Sequence, residues 1–155
     1  MQKSVDLVTI HATALNLLAR REHSRWELRY KLRKRYDAPD IIETVLDQLT
    51  EADWLSESRF VDVYIRSRAN RGFGPVHIHQ SLLQRGIKDE LIQHYLYTLP
   101  DINWREQSEQ VRIKKFGRAL PTQYSDRIKQ LKFLQYRGFG DFAFANEEEL
   151  MVDDN

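Results

Sequence analysis

The chain has 155 residues, and its 24 Lys and Arg residues nearly balance 23 Asp and Glu residues, which leaves a formal net charge of +1. The absence of Cys excludes a disulfide scaffold, a Cys-ligated zinc site, an iron–sulfur cluster and a cysteine nucleophile. Apolar runs fall far short of the roughly 18 residues that span a membrane, and the start has no signal-peptide pattern. We therefore expect a soluble cytoplasmic protein, with a length typical of one domain.

Apolar residues in the first third recur at helical spacing. Ser24 and Glu27 form a capping-box pattern, in which the hydroxyl accepts from a backbone N–H and the carboxylate reaches back, so a helix is predicted to begin here. Pro39 suits the first turn of the next helix. The apolar faces of the first three helices are predicted to be Ala12, Leu15, Leu18 and Ala19; Leu28 and Leu32; and Ile41, Ile42, Val45, Leu46 and Leu49.

The same spacing continues through the rest of the chain. Ser56 is predicted to cap a helix that carries Phe60, Val63 and Tyr64. The loop Gly72-Phe73-Gly74-Pro75 precedes another helix, which Gly86 ends by taking a left-handed conformation. About nine helices and no strand are predicted.

A repeat becomes visible when the chain is shifted by 50 residues. Leu28 then falls on Ile78 and Leu32 on Leu82, while the capping Ser24 falls on Gly74. An offset of 52 aligns a third copy, with Leu82, Arg85, Gly86 and Ile87 on Leu134, Arg137, Gly138 and Phe139. We predict an all-α fold of three tandem three-helix repeats, at 10–55, 56–100 and 102–150, followed by an acidic tail end at 151–155. Since each repeat is near the size limit for an independent core, we expect an elongated, curved array.

The near-zero net charge conceals a segregation of charges. Six of the acids and none of the bases lie in residues 141–155, so the first 140 residues carry +7. Residues 20–35 alone hold eight bases against two acids. A basic body suits a polyanionic or acidic partner, and a solvated helix face is the equally simple interpretation. The tail is either inert or folds back on the basic residues.

No catalytic constellation emerges from the sequence. The nearest pair of histidines, His77 and His79, would point about 200° apart on a helix and could not share a metal. Nucleophile-elbow, Walker and H-E-x-x-H motifs are absent. We expect no metal, no cofactor and no enzymatic activity.

Two cationic rows are the remaining signal. Arg25, Arg29 and Arg33 share one face of the second helix, apart from its leucines. A second row comprises Lys114, Lys115, Arg118, Arg127, Lys129 and Lys132. Arginine binds both phosphates and carboxylates through paired hydrogen bonds. The predicted partner contacts are Arg25, Arg29, Arg33, Lys114, Lys115, Arg127 and Lys132. Trp26, Trp54 and Trp104 are interpreted as core or inter-repeat packing residues.

Four segments resemble the RecX family, the small regulators of the bacterial RecA recombinase. They are Ser24-Arg25-Trp26-Glu27-Leu28 with Lys31-Leu32; Trp54 to Phe60 with Tyr64 and Arg68; Gly72 to Pro75 with Ile78, Leu82 and Arg85-Gly86-Ile87; and Lys132 to Phe139. The likeness spans about residues 12–140 in order. It departs from the family pattern at Asp53, where glycine is usual, and after Phe139, where an amphipathic helix usually follows.

The resemblance implies a non-enzymatic regulator that binds the RecA–DNA filament and inhibits ATP hydrolysis, strand exchange and repressor co-cleavage, in the control of DNA repair and the SOS response. We expect a monomer that touches nucleic acid through the filament and has no membrane partner. The alternative is a direct DNA-binding protein, because three-helix units with basic second helices also suit DNA.

Overall fold

The computed structural model describes residues 6–98 and 101–144. Within these residues the chain forms eight α-helices, one short 3₁₀ helix at Gly140–Phe142 and no β-strand, so the all-α prediction is confirmed. The helices are α1 (Leu7–Arg20), α2 (Arg25–Arg35), α3 (Pro39–Glu51), α4 (Glu57–Asn70), α5 (Pro75–Gln84), α6 (Asp89–Thr98), α7 (Trp104–Phe116) and α8 (Tyr124–Tyr136).

The predicted helix starts are confirmed by their capping contacts. At α2 the Glu27 N–H donates to the Ser24 hydroxyl at 3.0 Å, while the Ser24 N–H donates to the Glu27 carboxylate at 3.2 Å. Pro39 opens α3 at its first position. The Ser56 hydroxyl accepts from the N–H of Arg59 at 3.2 Å at the start of α4. These contacts satisfy backbone donors that a helix leaves unpaired at its N terminus.

The chain divides into two compact units, each with contributions from two stretches of sequence. The first unit contains residues 6–64 and Leu82–Tyr95. Its main core lies among α1, α2 and α3, where the predicted stripe of α2 is buried and that of α3 is buried apart from the half-buried Ile41. The predicted face of α1 is wrong at Ala12 and Ala19, which are exposed, because α1 instead buries Ile10 and Ala14. The buried members are Ile10, Ala14, Leu28, Leu32, Ile42, Val45, Leu46, Leu49 and Leu55.

The second unit contains Ile65–Ser81 and the described residues from Leu96 onward. Trp104 is buried here, and its indole N–H donates to the carbonyl of Leu96 at 2.8 Å. Leu134 and Phe139, from the third copy of the repeat, are fully buried. The last described segment adds Ala143 to this core, and the 3₁₀ helix packs on α7.

Positions matched by the repeat are buried alike. Their exposed fractions are at most 3% in the pairs Leu28 and Ile78, Leu32 and Leu82, Ile42 and Ile92, and Ile87 and Phe139. Gly86 and Gly138 both have positive φ, of 77° and 93°. The boundaries of the three repeats stay a prediction. The acidic residues Glu147 to Asp154, with the tail end 151–155, lie outside the described residues.

Three exposed side chains correct the predicted packing. Val63 is 51% exposed, because α4 instead buries Phe60, Val61 and Ile65. Trp54 is 60% exposed beyond the end of α3, so its assignment to the core is wrong. Trp26 is 44% exposed, and its packing contacts are with Gly86 and with the Tyr30 ring, on which it stacks with centroids 5.6 Å apart.

Candidate functional site

A groove of about 500 Å³ in the second unit carries a concentration of positive charge. It is lined by the end of α4, by α7 and by α8, and its cations are Arg71, Lys114, Lys115 and Arg137. The other described residues in its lining are uncharged, so no described carboxylate neutralises these cations within the groove. We call this the cationic groove. Four like charges on a concave surface raise the local concentration of anionic groups.

Arg137 is held in the groove by two aromatic rings. Its guanidinium lies 5.3 Å from the ring centroids of both Phe73 and Phe133, and one nitrogen donates to the carbonyl of Arg71 at 3.4 Å. The Lys115 ammonium lies 5.7 Å from the Phe133 centroid. Cation–π contacts of this kind contribute about 0.5–1 kcal/mol at exposed sites. They fix the positions of the cations and leave hydrogen-bond donors for an anion.

The structure brings together part of the predicted second row. Lys114 and Lys115 are exposed near the end of α7 and line the cationic groove. Arg127 and Lys132, on α8, lie outside its lining. The Arg127 Nε–H donates to the carbonyl of Pro121 at 3.4 Å, and Lys132 is exposed.

The predicted arginine row of α2 faces acids of α3 in the first unit. Arg25 lies 2.6 Å from Asp47 and 3.2 Å from Glu43. Arg29 reaches Glu43 with Nε at 2.5 Å and Nη2 at 3.1 Å, whereas Arg33 lies 4.0 Å from the same carboxylate. The hydrogen bond from Arg29 holds the pKa of Glu43 below its ordinary value, and the bond from Arg25 lowers it further.

These pairs hold α2 against α3, so two of the three arginines already have a structural role. The Arg33 side chain is 55% exposed, compared with 28% for Arg25 and 29% for Arg29. Arg33 is therefore the member of the row best placed to meet a partner. That the row contacts a partner stays a prediction.

Sequence reasoning missed Arg71 and Arg137 as site residues. In the repeat Arg137 aligns with Arg85, and each of these arginines comes directly before a glycine, which has a positive φ in the structure. This repeated Arg-Gly pair is the sequence feature that could have pointed to Arg137. Arg71 belongs to no comparable repeat of the sequence. It lines the groove because the fold brings it against Arg137, which lies 66 positions further along the chain.

Arg112 was also missed, and it shapes the turn next to the groove. Its side chain is 1% exposed and binds the Glu109 carboxylate, with Nη2 at 2.6 Å and Nε at 3.0 Å. Nη1 also donates to the carbonyls of Gly117 and Ala119, at 3.4 and 3.3 Å. A buried guanidinium with this many acceptors fixes the segment between α7 and α8.

The histidines do not form a metal centre in the described part of the chain. Among residues 6–98 and 101–144, no group of three or more His, Cys, Asp or Glu side chains could hold a metal ion. His77 stacks on Phe73 with ring centroids 4.4 Å apart, and its buried Nδ1 has no hydrogen-bond partner. Across the same residues, no helix combines the length and the apolar character needed to cross a membrane.

Comparison with known proteins gives the family. Sequence models of the first and second three-helix domains of RecX match residues 11–49 and 56–96. A regulatory protein RecX of Pseudomonas fluorescens (strain SBW25) is 46% identical over 133 residues, which cover 86% of this chain and 85% of that protein. This chain belongs to the RecX family. A RecX protein of Halorhodospira halophila (strain DSM 244 / SL1) is 43% identical over 130 residues, 84% of this chain and 80% of the relative.

Solved RecX structures have the same fold. The crystal structure of RecX from Lactobacillus salivarius superposes with a TM-score of 0.77 and 22% identity, over 94% of this chain and 97% of that one. A second crystal structure of regulatory protein RecX gives a TM-score of 0.75 at 19% identity, over 92% and 73% of the two chains. The resemblance drawn from four sequence segments is thus confirmed. The RecX relatives above are named as regulatory proteins rather than as enzymes.

Proposed function

We propose that this chain is a non-enzymatic cytoplasmic regulator that binds the RecA–DNA filament as a monomer. It inhibits the recombinase's ATPase, strand exchange and co-protease activity, and so takes part in regulating DNA repair and the SOS response. Membership of a family of regulatory proteins supports the role. The observation that carries the mode of binding is the cationic groove, with four cations and no described carboxylate in its lining.

The chemistry of the groove suits an acidic filament. A fixed guanidinium at Arg137 offers two parallel donors to a carboxylate or to a phosphate, and Lys114 and Lys115 add point charges beside it. Both kinds of acceptor occur on a protein–DNA filament. The groove therefore supplies one anchor, and Arg33 on α2 supplies a second in the other unit.

Attachment at two points accounts for inhibition without an active site. A chain that holds neighbouring recombinase protomers at once obstructs the movement that ATP turnover and strand exchange require. The second attachment is intramolecular once the first is made, so two modest contacts combine into a strong one. Nucleic acid is then contacted through the filament rather than bound alone.

Partner dependence tests the proposal. Fluorescence anisotropy would compare binding of the labelled chain to single-stranded DNA, to duplex DNA and to the RecA–DNA filament, and filament ATPase would be followed at two salt concentrations. We expect weak binding to either DNA alone, much tighter binding to the filament, and a lower ATPase rate. An unchanged ATPase rate with the chain bound would contradict inhibition.

The alternative, direct DNA binding, predicts a different result. If each of the four groove cations met one phosphate of a single strand, affinity for naked DNA would fall with a log–log slope of about −3, or about fifty-fold between 50 and 200 mM salt. Tight, steeply salt-dependent binding to DNA that the recombinase does not improve would establish that alternative and overturn the filament proposal.

A further inference from the structure

The cationic groove lacks a neutralising anion among the described residues. Arg71, Lys114, Lys115 and Arg137 share one concave surface, and its floor is apolar where Val111 and Phe133 line it. Mutual repulsion of four cations is relieved most effectively by an acidic segment with an apolar centre.

The sequence beyond Phe144 has that composition. Residues 147–154 read Glu-Glu-Glu-Leu-Met-Val-Asp-Asp, so three acids and two acids flank three apolar residues, and no base occurs among residues 145–155. Charges at both ends match the cations of the groove, and the apolar centre matches its floor. The two surfaces are complementary in charge and in hydropathy.

The groove lies within reach of this segment. The 3₁₀ helix Gly140–Phe142, just before the segment, packs on α7, the helix that carries Lys114 and Lys115. With 13 residues, α7 is about 20 Å long. Five residues of extended chain from Phe144 to Glu149 span up to about 16 Å, and nine residues to Asp153 span up to about 30 Å, so the acids at the far end of the segment reach either end of α7.

We propose that residues 147–154 occupy the cationic groove and compete with the filament for it. The contact is intramolecular, so its effective concentration is high, and it is strongest at low ionic strength, where opposite charges are least screened. The competition rests on the proposed filament binding, whereas the contact itself does not. Only a partner with a higher density of negative charge displaces residues 147–154 from the groove. The tail therefore sets the minimum charge density that a partner needs in order to bind there.

Paramagnetic relaxation tests the contact without any recombinase. Because the chain has no native Cys, Asn155→Cys accepts a single nitroxide label. We expect the amide signals of Val111 and Lys114 to broaden at about 0.01 M salt, where the Debye length is about 30 Å, and to sharpen at about 1 M, where it is about 3 Å. Lys114→Glu/Lys115→Glu should abolish the broadening.

The matched control is Arg20→Glu/Lys88→Glu, which changes the net charge equally at two exposed residues outside the groove. It should leave the broadening intact. Sharp signals at low salt, or broadening that survives Lys114→Glu/Lys115→Glu, would overturn the proposal. So would broadening of an isotope-labelled chain by a separate spin-labelled copy, because the occupant would then be a second molecule.

A functional readout separates this proposal from the filament proposal. Glu147→Gln/Glu148→Gln/Glu149→Gln should lower the concentration for half-inhibition of filament ATPase about threefold to tenfold at low salt, since it removes several exposed ion pairs. An unchanged value would contradict competition. If the chain did not inhibit the filament at all, the filament proposal would fail while the relaxation result still decided the tail contact.

Discussion

Gly74 and Gly138 pack backbone against backbone. A Cβ atom added at Gly74 would lie 2.5 Å from the carbonyl carbon and oxygen of Gly138. The Gly74 N–H donates to the carbonyl of Arg137 at 2.8 Å, and the Val76 N–H donates to that of Gly138 at 2.8 Å. The carbonyls of Arg137 and Gly138, at the end of α8, therefore accept hydrogen bonds from N–H groups at the start of α5. This contact places the negative end of the α8 dipole against the positive end of the α5 dipole.

The first unit contains the equivalent junction. The Ser24 hydroxyl donates to the carbonyl of Arg85 at 2.9 Å, and a Cβ added at Gly86 would lie 2.7 Å from the Cβ of Trp26. Ser24 and Gly74 are 50 residues apart, as the repeat predicts, and Arg85 and Arg137 are 52 apart. Two of the segments that carry the family resemblance thus meet at each junction.

The junction of Gly138 is expected to tolerate no side chain. Gly138→Ala strains a φ of 93° and also places a Cβ 2.5 Å from the backbone nitrogen of His77. Gly117 is the matched control, because its φ is 92° and an added Cβ meets nothing within 4 Å. Gly117→Ala should cost about 1–3 kcal/mol of unfolding free energy for backbone strain. Gly138→Ala should cost about 1–3 kcal/mol more for overpacking. Urea denaturation measures both, and equal losses would contradict the close packing.

Local periodicity explains how much of the fold was predictable. Burial of Leu28 and Leu32 on α2, and of Ile42, Val45, Leu46 and Leu49 on α3, follows from spacing alone, because a helix places residues three and four apart on one face. Asp53, which stands where the family usually has glycine, has a φ of 61°. Glycine adopts this left-handed backbone freely and aspartate also tolerates it, so the departure from the family pattern at Asp53 is compatible with the turn after α3.

Long-range packing explains what was not predictable. Glu43, which pairs with Arg29, lies 14 residues further along the chain. Helix α3 carries several acids, and nothing in the sequence shows which of them pairs with the arginines of α2. The cationic groove joins Arg71 to Arg137 across 66 positions. Trp54 is exposed although it is large and apolar, because α3 ends before it and its neighbour Leu55 enters the core instead.

Arg112 is expected to be essential for the turn after α7. Arg112→Met removes a buried side chain that donates to the carbonyls of Gly117 and Ala119 and to the buried Gln130 amide oxygen, so we expect a loss of about 2–4 kcal/mol in unfolding free energy. Glu109→Gln should cost less, about 1–3 kcal/mol, because glutamine still offers an acceptor but leaves the buried guanidinium without its counter-ion. Chemical denaturation of both variants checks the order, and a smaller loss for Arg112→Met would refute the bracing role.

Stability is expected to fall in acid because two imidazoles are held neutral. Burial lowers the pKa of His23 and His77 below the ordinary 6.5, and nearby arginines lower them further. The unfolded chain then binds protons that the folded chain does not, so stability is complete above pH 6.5 and declines as the pH falls below it. Each histidine contributes at most about 1.4 kcal/mol per pH unit.

The variant His77→Phe isolates the contribution of His77 to the pH dependence of stability. The Nδ1 atom of His77 has no partner, so phenylalanine loses no hydrogen bond there and keeps the stack on Phe73. We expect a shallower decline in unfolding free energy between pH 7.5 and 5.5, measured by urea titration at each pH. A slope identical to that of the wild type would show that His77 titrates normally in the folded chain.

Arg33 is the residue through which to test the α2 row. Reversing the charge of Arg25 or Arg29 would also break the contacts to Glu43. A loss of inhibition could then come from lower stability instead of weaker binding. Arg33→Glu avoids this, since that pair is 4.0 Å apart and exposed. We expect a severalfold rise in the concentration for half-inhibition of filament ATPase, with an unchanged melting temperature. An unchanged concentration would mean that this face is only solvated.

Filament ATPase with the groove reversed tests the central claim most directly. Lys114→Glu/Lys115→Glu would be compared with Arg20→Glu/Lys88→Glu, which alters the net charge equally outside the groove. Charge-assisted hydrogen bonds contribute about 1.5–3 kcal/mol each, so the groove variant should need at least about tenfold more protein for half-inhibition. The control should inhibit like the wild type. Equal inhibition by all three chains, each shown to be folded, would contradict the claim that the cationic groove holds the filament.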